Sequence, residues 1–180
     1  MKVGRNCKIS DKVSVYGGNN IEIGDNTRID DFCILSGGGG IKIGSHIHIA
    51  PYCSLFGGSG IIFEDFVEIA AYNYFTSESD DFFGHSLVGP QIPQQFKPRG
   101  YKKGQVILRK HVLMGARCVV FPGVEIGEGV SVGACSLVTK DLKPWTIYAG
   151  IPVKPMGNRS QDMLKLEEQF LKWWEVQDKY

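Results

Sequence analysis

The chain has 180 residues, of which 43% are hydrophobic, and its 20 basic and 19 acidic side chains leave a formal net charge of +1. That length suits one domain with appendages, and the balanced, scattered charge argues against a nucleic-acid face; the one local basic cluster is Lys97-Pro98-Arg99 with Lys102-Lys103. No apolar run approaches the ~18 residues of a membrane span, and the opening MKVGRNCKIS lacks the apolar core of a secretory leader, so a cytoplasmic setting is expected.

From the N-terminus, Val3-Gly4, Ile23-Gly24, Ile43-Gly44 and Phe63-Glu64 recur at a spacing of 20. Each unit holds three hexads plus two extra residues, which fall in Gly17-Gly18-Asn19-Asn20, Gly37 to Gly40 and Gly57-Gly58-Ser59-Gly60. Glycine suits such corners because it adopts positive φ without a Cβ clash. From Leu108 to Thr139 the period is a bare six. One column runs Leu108, Met114, Val120, Ile126, Val132, Val138, and a second runs Val106, Val112, Cys118, Val124, Val130, Ser136. A period of six fits neither a helix nor a long alternating strand. It fits a short strand and a tight corner, repeated and stacked, which is the hexapeptide β-helix signature. Three hexads per coil make a triangular prism, and the shared phase argues against a β-sandwich.

The cysteines follow the same columns. Cys7, Cys33, Cys53 and Cys118 occupy the second inward column and Cys135 lies one residue off it, with no CxxC pair. They are expected to be reduced and structural, acting as small hydrophobes.

Thr76 to Gly104 reads TSESDDFFGHSLVGPQIPQQFKPRGYKKG and has no hexad phase. Its aromatics and aliphatics argue against disorder. An ordered excursion over about 76–105 is expected to leave the prism and pack on something, a neighbouring subunit included. The aromatics Tyr72, Tyr74, Phe75, Phe82 and Phe83 crowd its start, where they stack on a sugar ring or pack the excursion onto the prism; packing is the favoured expectation.

The prism is expected to resume near Val106 and end near Val138. Lys140 to Trp145 breaks phase, and Tyr148 to Pro155 is an extended, proline-punctuated strip. Ser160 is a candidate N-cap for a C-terminal helix whose Met163, Leu166, Phe170, Trp173 and Trp174 form one stripe. That stripe is expected to cover the open end or flank of the prism, or a subunit contact. The expected division is a repeat domain over 1–155 and a helical extension over 156–180.

The hexads, the tail SLVTKDLKPWTIYAGIPVKP and the loop SESDDFFGHSLVGPQIP together resemble the hexapeptide-repeat acyltransferases, in particular their sugar and surface-polysaccharide O-acetyltransferase branch. The resemblance implies an all-β, left-handed parallel β-helix with a long loop excursion and a C-terminal helix. It also implies a homotrimer, acetyl-CoA as donor in a groove between two prisms, a sugar or sugar-nucleotide acceptor, and no metal. By motif, Ala116 in MGA and Ala134 in VGACSLVTKD line the pantetheine arm. Thr139 and Lys140 stand near the adenine and phosphate end, and Lys154 of IPVKP near the phosphates.

In that family a histidine takes the proton from a sugar hydroxyl, which then attacks the thioester. This chain departs from the pattern: Asp80 stands at the histidine's place, Asp81 follows, and His85 comes five residues after Asp80. A turn through Phe82-Phe83-Gly84 would bring His85 back to the carboxylates as an oriented base. His46 and His111 fall at the fourth hexad position and His48 at the sixth, all expected at solvent-facing corners. His111 is the runner-up base. The expected reaction is O-acetylation of a sugar hydroxyl in surface-polysaccharide biosynthesis. The alternative is N-acetylation of a nucleotide-linked amino sugar, whose amine needs less help from a base. A zinc hydrolyase on the same prism would need three converging histidines. His46 and His48 lie two apart on one turn and find no matching pair a coil away. The long loop and the tail argue against a non-catalytic scaffold.

Overall fold

The computed structural model describes residues 1–100 and 102–177. Tyr101, inside the expected excursion, and residues 178–180 of the expected extension lie outside the described residues.

The hexads fold into short strands stacked in three parallel sheets, the sides of a triangular prism. On the first side Ile21, Ile41, Ile61 and Val106 stand in direct register. The second side runs through Arg28–Ile29, His48–Ile49, Glu68–Ile69 and Leu113–Met114, and the third through Ile34–Ser36, Ser54–Phe56, Tyr74–Thr76 and Val119–Val120. In-phase stacking puts like on like. Ile, Leu, Val and Met of the first column are buried on every inner coil, and each such side chain contributes about 1.5–3 kcal/mol. The second-column cysteines are free thiols that point inward as well. Cys33 and Cys53 donate Sγ–H to Ala50 O and Ala70 O of the coil above, each at 3.2 Å. Cys135, off the column, is exposed.

The glycine corners pack backbone against backbone. Gly40 has φ +106°, and a Cβ on Gly39 would stand 2.3 Å from Gly58 O. The other two corners use left-handed residues with side chains, and these form ladders: His46, Phe66 and His111 along one edge, Phe32, Tyr52 and Tyr72 along the other.

The prism does not end at Val138. Thr146–Gly150 adds a further parallel strand to the second side, pairing Ile147 with Ser131, and Val153–Asn158 then folds back antiparallel on it. This returning strand covers a ladder of backbone groups that a bare last coil would leave open. Ser160 Oγ accepts the Asp162 N–H at 3.1 Å, and the helix α1 follows over Met163–Gln177. The helix lies along the flank. Phe170 and Trp174 meet the His46 ring edge-on at 5.1 and 5.4 Å. Leu166 and Trp173 of the expected stripe are more than half exposed instead, and the half-buried residues of the helix are Met163, Leu164, Glu167, Phe170 and Trp174.

His48 is not a corner residue. It sits on a strand of the second side between two carboxylates, with Nε2 2.9 Å from Asp30 Oδ2 and Nδ1 2.8 Å from Glu68 Oε1. Partial burial pulls its pKa down, but the bonds and charges of Asp30 and Glu68 outweigh this and the net direction is up. A raised folded-state pKa gives stability that is fully present below the unfolded value of about 6.5 and is lost as pH rises through the folded value. The thermal midpoint of the wild type is therefore expected to fall by a few degrees at most across that window, because the ring is part exposed. His48→Gln is expected to flatten that slope. Parallel melting curves of the two proteins across the neutral range check this.

Candidate active site

The chain leaves the prism after Tyr74–Thr76 and returns at Val106–Leu108, and the two legs pair as an antiparallel neck, Glu78–Ser79 with Lys102–Lys103. The neck is tied down: Ser59 Oγ donates to Glu78 at 2.8 Å, and Gly104 N–H to Ser77 O at 3.1 Å. This anchorage fixes where the excursion leaves the prism.

Asp81 caps the first turn beyond the neck. Its Oδ1 accepts the Phe83 N–H at 2.8 Å and its Oδ2 the His85 N–H at 2.7 Å, and the side chain is 7% exposed. The Phe83 amide foremost, then those of His85 and Ser86, hold this carboxyl below its ordinary pKa against the opposing effect of burial. The turn through Phe82-Phe83-Gly84 does return His85 to a carboxylate. Its Nδ1 lies 3.7 Å from Asp81 Oδ2, an ion-pair distance rather than a hydrogen bond.

Asp80 points differently. Its Oδ2 accepts the Gly89 N–H at 3.2 Å and its Oδ1 lies 3.5 Å from Lys97 Nζ. Asp80, Asp81 and His85 line one cleft of about 430 Å³, with Phe82, Phe83, Arg99, Lys102 and, from the prism, Phe121. Phe82 and Phe83 are 84% and 87% exposed, so neither packs the excursion onto the prism. Phe75 is a core residue, and Tyr72 belongs to the corner ladder.

The five residues carried over for the donor lie elsewhere, and none lines that cleft. Ala116 and Ala134 stand on successive coils, each just before a left-handed corner residue, Arg117 and Cys135. The Cys135 N–H donates to Ala116 O at 2.8 Å. A Cβ on Gly115 would come within 2.5 Å of Ala134 N, so these corners are drawn as close as backbone allows. Ala134, Thr139, Lys140 and Lys154 are exposed and Ala116 is half-buried.

His111 is not at a solvent-facing corner. It is 8% exposed under α1, and its Nε2 lies 2.8 Å from Glu167 Oε2. Glu167 also pairs with Lys110. Burial works to raise the Glu167 pKa, but the Lys110 and His111 hydrogen bonds outweigh it and hold the carboxyl low. His46 is half-buried between Phe66 and α1, and burial lowers its pKa. His111 therefore ties the helix to the prism.

Three residues that matter here carry no sequence signal of their own. Glu167 is one. Asn73 stands in the cysteine column but is buried and bonds three backbone groups. Lys97 reads as part of a basic surface cluster, yet it is 1% exposed. Among the described residues no His, Cys, Asp and Glu cluster could hold a metal ion, and no helix is long and apolar enough to cross a membrane.

No protein-family model matches the chain. Over 169 residues it is 41% identical to the dTDP-4-amino-4,6-dideoxy-D-glucose acyltransferase of Escherichia coli, covering 93% of this chain and 87% of that one. Its structure is similar to that of AntD, an N-acyltransferase from Bacillus cereus in complex with dTDP and 3-hydroxybutyryl-CoA. The TM-score is 0.92 at 48% identity, over 97% of this chain and 91% of that one. A hexapeptide-repeat acetyltransferase from Vibrio cholerae shares the fold at 20% identity, with a TM-score of 0.58 over 89% of this chain and 74% of that one. A three-sided parallel β-solenoid with an inserted loop and a C-terminal helix, matched at this level, is a left-handed β-helix of the acyltransferase class. The chain belongs to the hexapeptide-repeat acyltransferase family.

Proposed function

We propose that this acyltransferase moves an acyl group from acyl-CoA to the amino group of a dTDP-linked 4-amino-4,6-dideoxy sugar. The observation that carries the reading is the nearly full-length similarity to the Escherichia coli acyltransferase of such a sugar and to the Bacillus cereus N-acyltransferase in complex with dTDP and an acyl-CoA. The amine is placed ahead of the sugar hydroxyl that the sequence alone suggested. The cleft chemistry supports it: the Asp80 carboxylate and the His85 imidazole in one cleft suit an amine that arrives part-protonated, and the exposed Arg99 and Lys102 suit a diphosphate.

In this reading His85 receives the proton as the amine attacks the thioester carbonyl. The nitrogen–carbon bond forms, the carbon–sulfur bond breaks, and CoA leaves as a thiolate that takes up the proton His85 removed, directly or through water. Asp81 holds the turn that presents the imidazole. Ala116 and Ala134 flank the pantetheine arm, and Thr139, Lys140 and Lys154 stand toward the distal phosphates. A homotrimer would supply the second wall of the donor groove.

The test is direct. Purified protein is incubated with acetyl-CoA and either dTDP-4-amino-4,6-dideoxyglucose or its 4-hydroxyl counterpart, and released CoA is followed. The amino acceptor is expected to react faster by about a hundredfold or more. Equal rates, or turnover of the hydroxyl compound alone, would defeat the proposal.

A second expectation concerns the donor. Lys140→Ala combined with Lys154→Ala is expected to raise the acyl-CoA KM more than it lowers kcat, because distal phosphates are bound alike in ground and transition states. The effect should shrink as salt rises, since both charges are exposed. A collapse of kcat at constant KM would put the donor elsewhere.

A further inference from the structure

Across residues 78–105 one described side chain is fully buried, and it is a lysine: Lys97, 1% exposed. An ammonium is a poor filler. Removing it from water costs several kcal/mol unless partners compensate, and a Met or Leu of similar length would fill the space without that cost. Its contacts indicate what the charge does. Lys97 Nζ donates a short hydrogen bond to Gly89 O and lies 3.5 Å from Asp80 Oδ1, while the Gly89 N–H donates to Asp80 Oδ2 at 3.2 Å. The ammonium, the carboxylate and the Gly89 peptide close a ring. Gly89 takes φ +98°, a conformation that favours glycine at the point both groups clasp. Asp80 lines the cleft, and its side chain is 35% exposed.

We infer that Lys97 is a positioning residue for the acyl acceptor: its buried ammonium sets the Asp80 carboxylate at the cleft wall, where that carboxylate meets the acceptor's reacting group. This rests on the reading of the cleft as the acceptor site. Among the described residues from 78 to 105, the fully buried position thus holds an ammonium rather than an apolar side chain. Asp80 accepts one backbone amide and keeps a side chain that is 35% exposed, whereas the neighbouring Asp81 accepts two and is 7% exposed.

The experiment is a double-mutant cycle. Lys97→Met and Lys97→Gln are each made alone and with Asp80→Asn, and kcat/KM for the acceptor, the acyl-CoA KM and the thermal midpoint are measured. Lys97→Gln retains a donor for Gly89 O but no charge. Both single Lys97 variants are expected to lose acceptor kcat/KM by about tenfold to a hundredfold, with the donor KM held within about twofold. With Asp80→Asn present, neither should cost anything further. The inference is overturned if the losses multiply in the Asp80→Asn background, if Asp80→Asn alone is without effect, if Lys97→Gln behaves as wild type, or if both Lys97 variants fail to fold. The cycle is run with whichever of the amino and hydroxyl acceptors the wild type turns over. Failure of the proposed acceptor therefore shows in the wild type, and failure of the Lys97 assignment in the cycle.

Discussion

Replacing His85 by alanine is expected to cut turnover of the amino acceptor at neutral pH by about a hundredfold to ten-thousandfold, the usual worth of a positioned base. The ring lies in the cleft, in a turn that Asp81 closes through two backbone amides, and it lends nothing to the prism core. The melting curve should therefore stay close to wild type. An amine differs from a hydroxyl in one testable respect: at a pH near its own pKa, about 8 for a group like an α-amine, it sheds its proton to water. The deficit of His85→Ala is expected to narrow as pH climbs toward that value, whereas a deficit with a hydroxyl acceptor would not. His111→Gln serves as the counterpart. It breaks the contact with Glu167 under α1, so it should lower the melting temperature and leave turnover nearly intact. Near-normal turnover by His85→Ala at neutral pH, with loss in His111→Gln, would move the proton transfer to the other histidine.

The coils were legible because their physics is local and repeated. Ile21, Ile41 and Ile61 fall 20 residues apart because each must land on the one below, so the phase is written in the chain itself. The extra strand Thr146–Gly150 was not legible as part of the prism, because Lys140 to Trp145 breaks the hexad phase before the chain rejoins the second side. Corner positions are legible as corners but not as surfaces. His111 has the spacing of an exposed residue, and chain far from it in sequence, Trp145 and then Glu167 at 56 positions, returns to lie against it. In the excursion, two adjacent aspartates diverge: Asp81 takes the Phe83 and His85 amides, and Asp80 takes the Gly89 amide and faces Lys97. Spacing cannot separate them, since the distinction lies in where a non-repeating loop closes. The sugar's amino group, too, leaves no trace in a period of six.

Asn73 shows the same limit inside the repeat, and its replacement is expected to have the largest effect on stability. It stands 20 residues after Cys53, at a column position that otherwise asks only for something small. Its Nδ2 donates to Ala70 O at 2.7 Å and Gly115 O at 3.0 Å, and its Oδ1 accepts the Cys118 N–H at 3.0 Å. It thereby joins the coil before the excursion to the coil after it, where 42 residues separate Asn73 from Gly115. In Asn73→Ala the two carbonyls keep weak thiol donors, from Cys53 and Cys118, each at 3.2 Å. The buried Cys118 N–H has no such substitute. Loss of that bond, the weakened carbonyls and a small cavity together are expected to cost about 2–4 kcal/mol. In a chain of this size that lowers the thermal midpoint by roughly 10 °C. Asn73→Asp is the sharper comparison: it keeps an acceptor for Cys118 but sets a buried charge against two carbonyls, so it should be worse than alanine. A melt of Asn73→Ala indistinguishable from wild type, or an Asp variant more stable than the Ala variant, would mean that the two coils hold together by side-chain stacking alone.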